Sequence, residues 1–301
     1  MITPPRPARP DDVARHYDEL DRIYRELWGE HLHHGLFESR HDDPQHAAAR
    51  LVDRVAELAR VGPGTEVCDV GCGYGATSRI LALEHGARVQ GITLSRAQVD
   101  HARRSAPDAL PPGASLRFHQ GDWLANDFEG EAFDVVVAIE CLTHMPDQRA
   151  FFRQVSRTLR PGGRLIMCVW LTSESPGPLA RRFLLEPICI EGELPGMGSA
   201  SETHALMEDA GLEPLEFHDL SDRVRRTWSV SASRLARAAR RDPELRKLLR
   251  DPAFRSRVFA RTVFRIWAAY RVGAMRYGLF LARRPARDAV ESTSSTPPVP
   301  S

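Results

Sequence analysis

VCDVGCGYGATSRIL, residues 67–81, joins an apolar run to a helix-forming run through glycines at 71, 73 and 75. The apolar run ends at Asp69 and Val70, and Cys72 and Tyr74 fill the spaces between the glycines. Glycine lets a chain turn tightly and lets its backbone come close to a ligand. The helix that follows presents unpaired N–H groups and a positive end. A strand, a glycine loop and a helix in that order suit a nucleotide-like ligand.

Outward from this stretch, short Val/Ile-rich segments alternate with helix-like ones. Strands are predicted at 66–70, 88–93, 115–120, 133–140, 164–171 and 213–219, and helices at 76–85, 95–106 and 148–159. Arg160-Pro161-Gly162-Gly163 reads as a helix stop and turn. MRYGLFLARRP, from residue 275, reads as a last strand. This is the pattern of an α/β, doubly wound, Rossmann-like domain with a parallel sheet covered on both faces.

The flanks divide the chain further. Residues 1–10 are proline-rich and expected to be disordered. Residues 11–61 hold a helix from Asp11 to Trp28, the loop WGEHLHHGLFE, and a helix from Pro44 to Val61 stopped by Gly62-Pro63-Gly64. The core is expected at 62–222, with 172–198 an excursion over the sheet edge. A basic helical cap follows at 223–272, the last strand at 273–285 and a disordered tail at 286–301.

The chain has 301 residues, 42% of them hydrophobic, and a formal net charge of +1. No apolar run nears the ~20 residues that span a bilayer, and the arginine-bearing start lacks the apolar stretch of a secretory signal. Cysteines at 68, 72, 141, 168 and 189 form no CxxC pair, so neither a disulfide framework nor a zinc ribbon is expected. A reducing, cytoplasmic setting is. The charge is uneven: Arg223 to Arg287 holds 19 Lys+Arg and 3 Asp+Glu. Either this segment packs against acidic parts of the fold, or it attracts an anionic partner such as a phosphorylated substrate, an acidic carrier protein or a membrane surface. No nucleic-acid-binding module is recognisable.

Which nucleotide-like ligand is meant follows from the strand ends. The glycine pattern also admits a dinucleotide dehydrogenase, but a lone pattern is weak evidence. The second strand ends in Gly91-Ile92-Thr93-Leu94-Ser95, without the acid that holds the NAD ribose. Ser95 and Arg96 leave an NADP reading open. The third strand ends in Gly121-Asp122-Trp123. Asp69 and Asp122 together suit a cationic aminocarboxypropyl arm and an adenine, which is S-adenosylmethionine.

DVGCGYG, GITLSRAQ, GDW, IECLTHMPD and LRPGG, in that order, resemble a class I S-adenosylmethionine-dependent methyltransferase. YDELDRIYRELWGEHLHHGLFE and the late AAYRVGAMRYGLF are similar to the tocopherol-methyltransferase-like group, with its plant alkaloid and bacterial natural-product enzymes. GITLSRAQ is shared in style with cyclopropane fatty acid synthases. The resemblance implies a seven-stranded sheet with its last strand antiparallel, and a helical cap before that strand. It implies that Gly71, Cys72, Gly73 and Gly75 cradle the cofactor and that Asp69 holds its amino-acid end. It places Thr93, Leu94 and Gln98 at the ribose and Gly121, Asp122 and Trp123 at the adenine. Ile139 completes the set, and Tyr17 closes over it.

Methyl transfer from a sulfonium is an in-line displacement that needs alignment, exclusion of water and, for a weakly acidic nucleophile, a base. Glu140, Cys141, Thr143 and His144 follow the fourth strand, where doubly wound sheets place their pockets. His144 is the first choice for the base; its alternative role is to order the loop. Glu140 accepts a proton or orients the substrate, or else bonds the loop around 31–35. Trp28, His31, His33, Cys141 and Trp267 are taken as acceptor-side residues. The His31, His33, His34 and Glu30 cluster lacks helical metal-ligand spacing, and the resemblance implies a metal-free site. The expected activity is methylation of a C, N or O atom of a small hydrophobic or aromatic acceptor, anionic or carrier-tethered variants included, in specialised metabolism. The group's chemistry tilts this toward C or N. The alternative is a relative that keeps the cofactor and catalyses a cyclisation or rearrangement.

Overall fold

A computed structural model describes residues 1–4, 30–243, 246 and 255–286. The helix expected over 11–28, with Tyr17 and Trp28, and the tail beyond residue 286 lie outside the described residues.

Seven strands form one sheet: β1 (Glu66–Val70), β2 (Arg88–Thr93), β3 (Ser115–Gln120), β4 (Phe133–Ile139), β5 (Leu159–Thr172), β6 (Glu213–Asp219) and β7 (Met275–Arg283). Their order is β3-β2-β1-β4-β5-β7-β6, and β7 is antiparallel to both neighbours. Order reverses between β1 and β4, which lie side by side and parallel. A crevice therefore opens beyond their carboxyl ends. In register, Asp69 lies opposite Gly91 on one side and Val137 on the other.

Alternation along the strands builds two cores. Val67, Val89, Val135, Val137 and Ile166 face one layer with α1 (Pro44–Ala59), whose Leu51, Val52 and Val55 are buried there. Cys68, Val70, Val136, Ala138 and Leu165 face the other, with Phe151, Phe152 and Val155 of α4 (Gln148–Thr158). Between these lie α2 (Ala76–Leu83) and α3 (Arg96–Arg104). Helix starts are set by short polar side chains. Asp43 accepts from the N–H groups of Gln45 and His46, Ser95 from Gln98, and Asp147 from Ala150.

The structure moves one predicted boundary. Arg160-Pro161-Gly162-Gly163 belongs to β5 rather than to a turn before it. Leu159 pairs with Phe133, and the register shifts before Val135 meets Arg164. Gly162, at φ +81°, absorbs that irregularity.

Residues 172–198 are mostly helical rather than a plain loop. Helical turns run from Pro178 through Leu185 into α5 (Glu186–Glu191), and α6 (Ala200–Asp209) follows. The chain leaves β6 into α7 (Ser221–Val224), α8 (Arg226–Arg241) and α9 (Arg255–Arg271), then returns as β7. Several arginines of this basic segment pair with acids elsewhere: Arg265 with Glu191, Arg223 with Glu38, Arg276 with Asp219 and Arg283 with Glu213. The charge asymmetry is thus partly internal.

Phe151 is fully buried against Phe152 and Trp123. Phe151→Ala should cost about 3–5 kcal/mol of stability, measured by urea unfolding.

Candidate functional site

One cleft runs over the carboxyl ends of β1, β2, β3 and β4 and under the cap. Its first half is lined by Asp69, Gly71, Cys72, Gly73, Thr93, Leu94, Gln98, Gly121, Asp122, Trp123 and Ile139. These are the residues taken from sequence for the cofactor, apart from Gly75 and Tyr17.

The three loop glycines do different work. All have positive φ: +70° at Gly71, +55° at Gly73 and +78° at Gly75. A Cβ on Gly71 would stand 2.5 Å from Cys141 Cβ, and one on Gly75 2.6 Å from Phe118 Cζ. Both glycines therefore let the loop pack on protein. At Gly73 the nearest atom would be Leu32 Cδ1 at 3.8 Å. Gly73 is the loop glycine whose missing side chain leaves room for a ligand.

Asp69 is buried and accepts a 2.5 Å bond from Ser78 Oγ. Burial raises its carboxyl to about 6, opposed by the Ser78 bonds. Thr93 Oγ1 donates to Gln98 Oε1 at 2.8 Å, and the Gln98 N–H donates to Ser95 Oγ. Asp122 caps the turn after β3 through the Leu124 N–H, at 2.9 Å. Trp123 is only 2% exposed and packs on Phe151, so its ring serves the core as well as the cleft wall.

The second half of the cleft is lined by His31, His33, His34, Glu140, Cys141 and His144, with Leu32, Met145, Ile188, Leu194, Val263 and Ile266 as an apolar lining. Glu140 stands at φ +59° just past β4. A non-glycine residue holds that conformation when its surroundings fix it, and here four donors do. The His34 N–H and Nδ1 reach Oε1 at 2.7 and 2.9 Å. The Tyr277 hydroxyl donates to Oε1 at 2.7 Å and Trp170 Nε1 to Oε2 at 2.8 Å. Burial alone would raise the Glu140 carboxyl; the hydrogen bonds it accepts from the His34 N–H and Nδ1 work against burial and hold it low. A carboxylate so held does not collect protons at neutral pH. Of the two roles read from sequence for Glu140, the structure contains the bonds to the 31–35 loop.

His144 lines the same half. Burial lowers its imidazole to about 4, against the charge of Glu140 and a backbone hydrogen bond with Glu193, which both raise it. It is neutral at physiological pH and so can take a proton. Burial pushes the Cys141 thiol up, and its Cβ packs on Gly71. Cys141 is a wall, not a nucleophile.

The histidines bond one another rather than converging on one point. His33 Nδ1 donates to the His34 carbonyl at 2.9 Å, and His31 Nδ1 lies 3.1 Å from His33 Nε2. Burial, then His33 and Arg79, lowers His31 to about 3; burial also lowers His33.

Trp267 is corrected outright. It lies outside the cleft, 44% exposed, with the Arg271 guanidinium 5.3 Å above its ring. On α9 it is Val263 and Ile266 that turn inward. The reading also missed His34, Trp170, Trp228, Tyr270 and Tyr277 as a set. HLHHG pointed to the first; nothing local marks the others.

A seven-stranded sheet with this topology and a β1 glycine loop between carboxylates defines a class I S-adenosylmethionine-dependent methyltransferase. Residues 6–250 match the family model described as Mycolic acid cyclopropane synthetase, and the chain belongs to that family. It is 34% identical over 226 residues to 27-O-demethylrifamycin SV methyltransferase of Amycolatopsis mediterranei (strain S699), covering 75% of this chain and 82% of that one. It is 31% identical over 291 residues to the chloroplastic tocopherol O-methyltransferase of Arabidopsis thaliana, covering 91% and 82%. Among solved structures, the cyclase SpnF superposes with a TM-score of 0.76 at 26% identity, covering 95% of this chain and 100% of that one. A cyclopropane synthase from Mycobacterium tuberculosis superposes at 0.79 and 22% identity, covering 91% and 98%, and shares the fold. The protein is an enzyme that transfers a methyl group from S-adenosylmethionine to a small-molecule acceptor.

The glycine geometry gives a direct check. Gly75→Val, which drives a side chain into Phe118, should lower the melting temperature by several degrees more than Gly73→Val, whose Cβ comes no closer than 3.8 Å to Leu32 Cδ1; calorimetry of the ligand-free chain measures both.

Proposed function

We propose that the enzyme O-methylates a hydroxyl of an uncharged, apolar specialised metabolite, with His144 taking the hydroxyl proton. The observation that carries this reading is a histidine and a carboxylate held by four hydrogen bonds, both in the apolar half of a cleft whose other half suits the cofactor. The named relatives favour oxygen over the carbon or nitrogen expected from sequence: a tocopherol O-methyltransferase and several fungal O-methyltransferases are among them. Arg265 and Arg79 reach the cleft-lining acids Glu191 and Glu30 and are paired with them, which favours an uncharged acceptor over a phosphorylated or carrier-tethered one. Five free, buried cysteines fit a reducing, cytoplasmic setting.

The first half of the cleft fits the cofactor in shape and charge. Gly73 leaves space against the loop backbone, and Asp69 offers a buried carboxylate to an ammonium group. Thr93, Leu94 and Gln98 would meet the ribose, and Gly121, Asp122 and Trp123 the adenine. When bound, S-adenosylmethionine supplies an electrophilic methyl on a cationic sulfur. The chain supplies the rest. Leu32, Met145, Ile188, Leu194, Val263 and Ile266 hold the acceptor and exclude water. His144 accepts the hydroxyl proton on a ring nitrogen, and the Glu140 charge stabilises the imidazolium that results.

Two outcomes are expected. His144→Ala should lower turnover about 10²–10³-fold with S-adenosylhomocysteine affinity unchanged in calorimetry; an unaltered rate dismisses the base. Incubation with S-adenosylmethionine and hydroxylated apolar acceptors should give products about 14 Da heavier; an unchanged mass with altered connectivity would speak for cyclisation.

The Asp69 carboxyl supplies a pH test. A cationic ligand favours its ionised form, so binding releases a proton below about pH 6 and affinity rises with pH up to that point. S-adenosylhomocysteine should bind about tenfold more weakly at pH 5 than at pH 7, and Asp69→Asn should flatten the profile while weakening binding throughout.

A further inference from the structure

We propose that Trp228 sets the charge of the acceptor site: its indole N–H locks His34 as the neutral Nδ1–H tautomer and so leaves Glu140 without a counter-cation. The inference rests on the assignment of Glu140 and His144 to the acceptor side. His34 is a positioning residue in it, acting through Glu140.

The tautomer follows from what each partner can do. Trp228 Nε1 lies 2.7 Å from His34 Nε2, and an indole nitrogen only donates. His34 Nε2 must therefore present its lone pair. The ring hydrogen sits on Nδ1, which faces the acceptor Glu140 Oε1 at 2.9 Å. With one nitrogen accepting, the ring is neutral. The four groups that reach Glu140 are then a backbone N–H, a neutral imidazole, a phenol and an indole. Among the described residues all are donors and none is a cation. The carboxylate keeps its full negative charge in the cleft wall, where His144 feels it.

The groups facing the His34 ring come from five elements. Glu140 follows β4, Trp170 is on β5, Tyr277 on β7, Trp228 on α8 and Tyr270 on α9. Burial keeps both phenols protonated, so Glu140 is the charged member. Both groups at Nε2, Trp228 and the more distant Tyr270 hydroxyl at 3.4 Å, belong to the cap. Cap and charge are therefore coupled. With α8 seated, Nε2 is occupied and Glu140 stands alone. Without the Trp228 donor, Nε2 is free to take a proton, and the His34–Glu140 pair would then go from a net charge of about −1 to zero.

The test is side-chain nitrogen NMR of the full-length chain labelled on histidine, with His34 assigned by the loss of its signals in His34→Gln. In the wild type, Nδ1 should read as protonated and Nε2 as bare between about pH 5.5 and pH 8. Trp228→Phe keeps an aromatic ring and removes the donor. In it His34 Nε2 should show proton occupancy at pH 7 that the wild type lacks. Tyr270→Phe, which removes the more distant partner, should leave the tautomer in place. A wild-type His34 that is doubly protonated or Nε2–H at pH 7 overturns the proposal, even if Trp228→Phe does not fold. So does a folded Trp228→Phe in which Nε2 stays bare as before. These signals are independent of which acceptor atom is methylated, so a failed assignment of O-methylation leaves them readable.

Discussion

A buried carboxylate with no cation among its partners is costly, because an ionised group taken from water loses its solvation shell. The chain meets that cost at Glu140 with four hydrogen bonds to the charged group, each of them stronger than a neutral pair would be. The donors arrive from the loop at His34, from β5 at Trp170 and from β7 at Tyr277. They meet only if the sheet is closed in its observed order, with β7 beside β5. The position of Glu140 in the cleft wall is therefore tied to the sheet, although other parts of that wall come from loops and helices.

Much of the cofactor half was legible because its signals are local. Three glycines within five residues, each with positive φ, mark a loop that needs no distant partner to be recognised. The strands were legible as short Val/Ile-rich segments separated by helix-like ones. Local signals also misled. Pro161 and Gly162 look like the end of an element, yet β5 runs through them because the register shift beside β4 tolerates a glycine at φ +81°. Trp267 has the right residue type on the right helix, but helical phase turns it outward while Ile266 turns in. Of the His34 constellation, only the bond between Glu140 and the 31–35 loop was legible. Trp228 and Tyr270 lie 194 and 236 positions from the histidine they face, and no periodicity spans such a gap.

The likeness to SpnF shows how little the sheet alone decides. A cyclase and methyltransferases share this architecture at comparable TM-scores. Chemistry on such a scaffold belongs to the side chains at the strand ends and above them. In this chain those side chains are a neutral imidazole, an anchored carboxylate and an apolar ceiling, while the loop beneath them keeps the features of its family.

The cap enters and leaves the sheet at one point. Where β6 ends and β7 begins, the Leu220 N–H bonds to the Tyr277 carbonyl at 2.8 Å, and the Tyr277 N–H to Ser221 Oγ at 2.9 Å. An insert whose two stems are already clasped adds little closure entropy when it changes length. Descendants of such a scaffold can exchange this module for another and meet new acceptors, while the machinery that grips the methyl donor goes on unaltered.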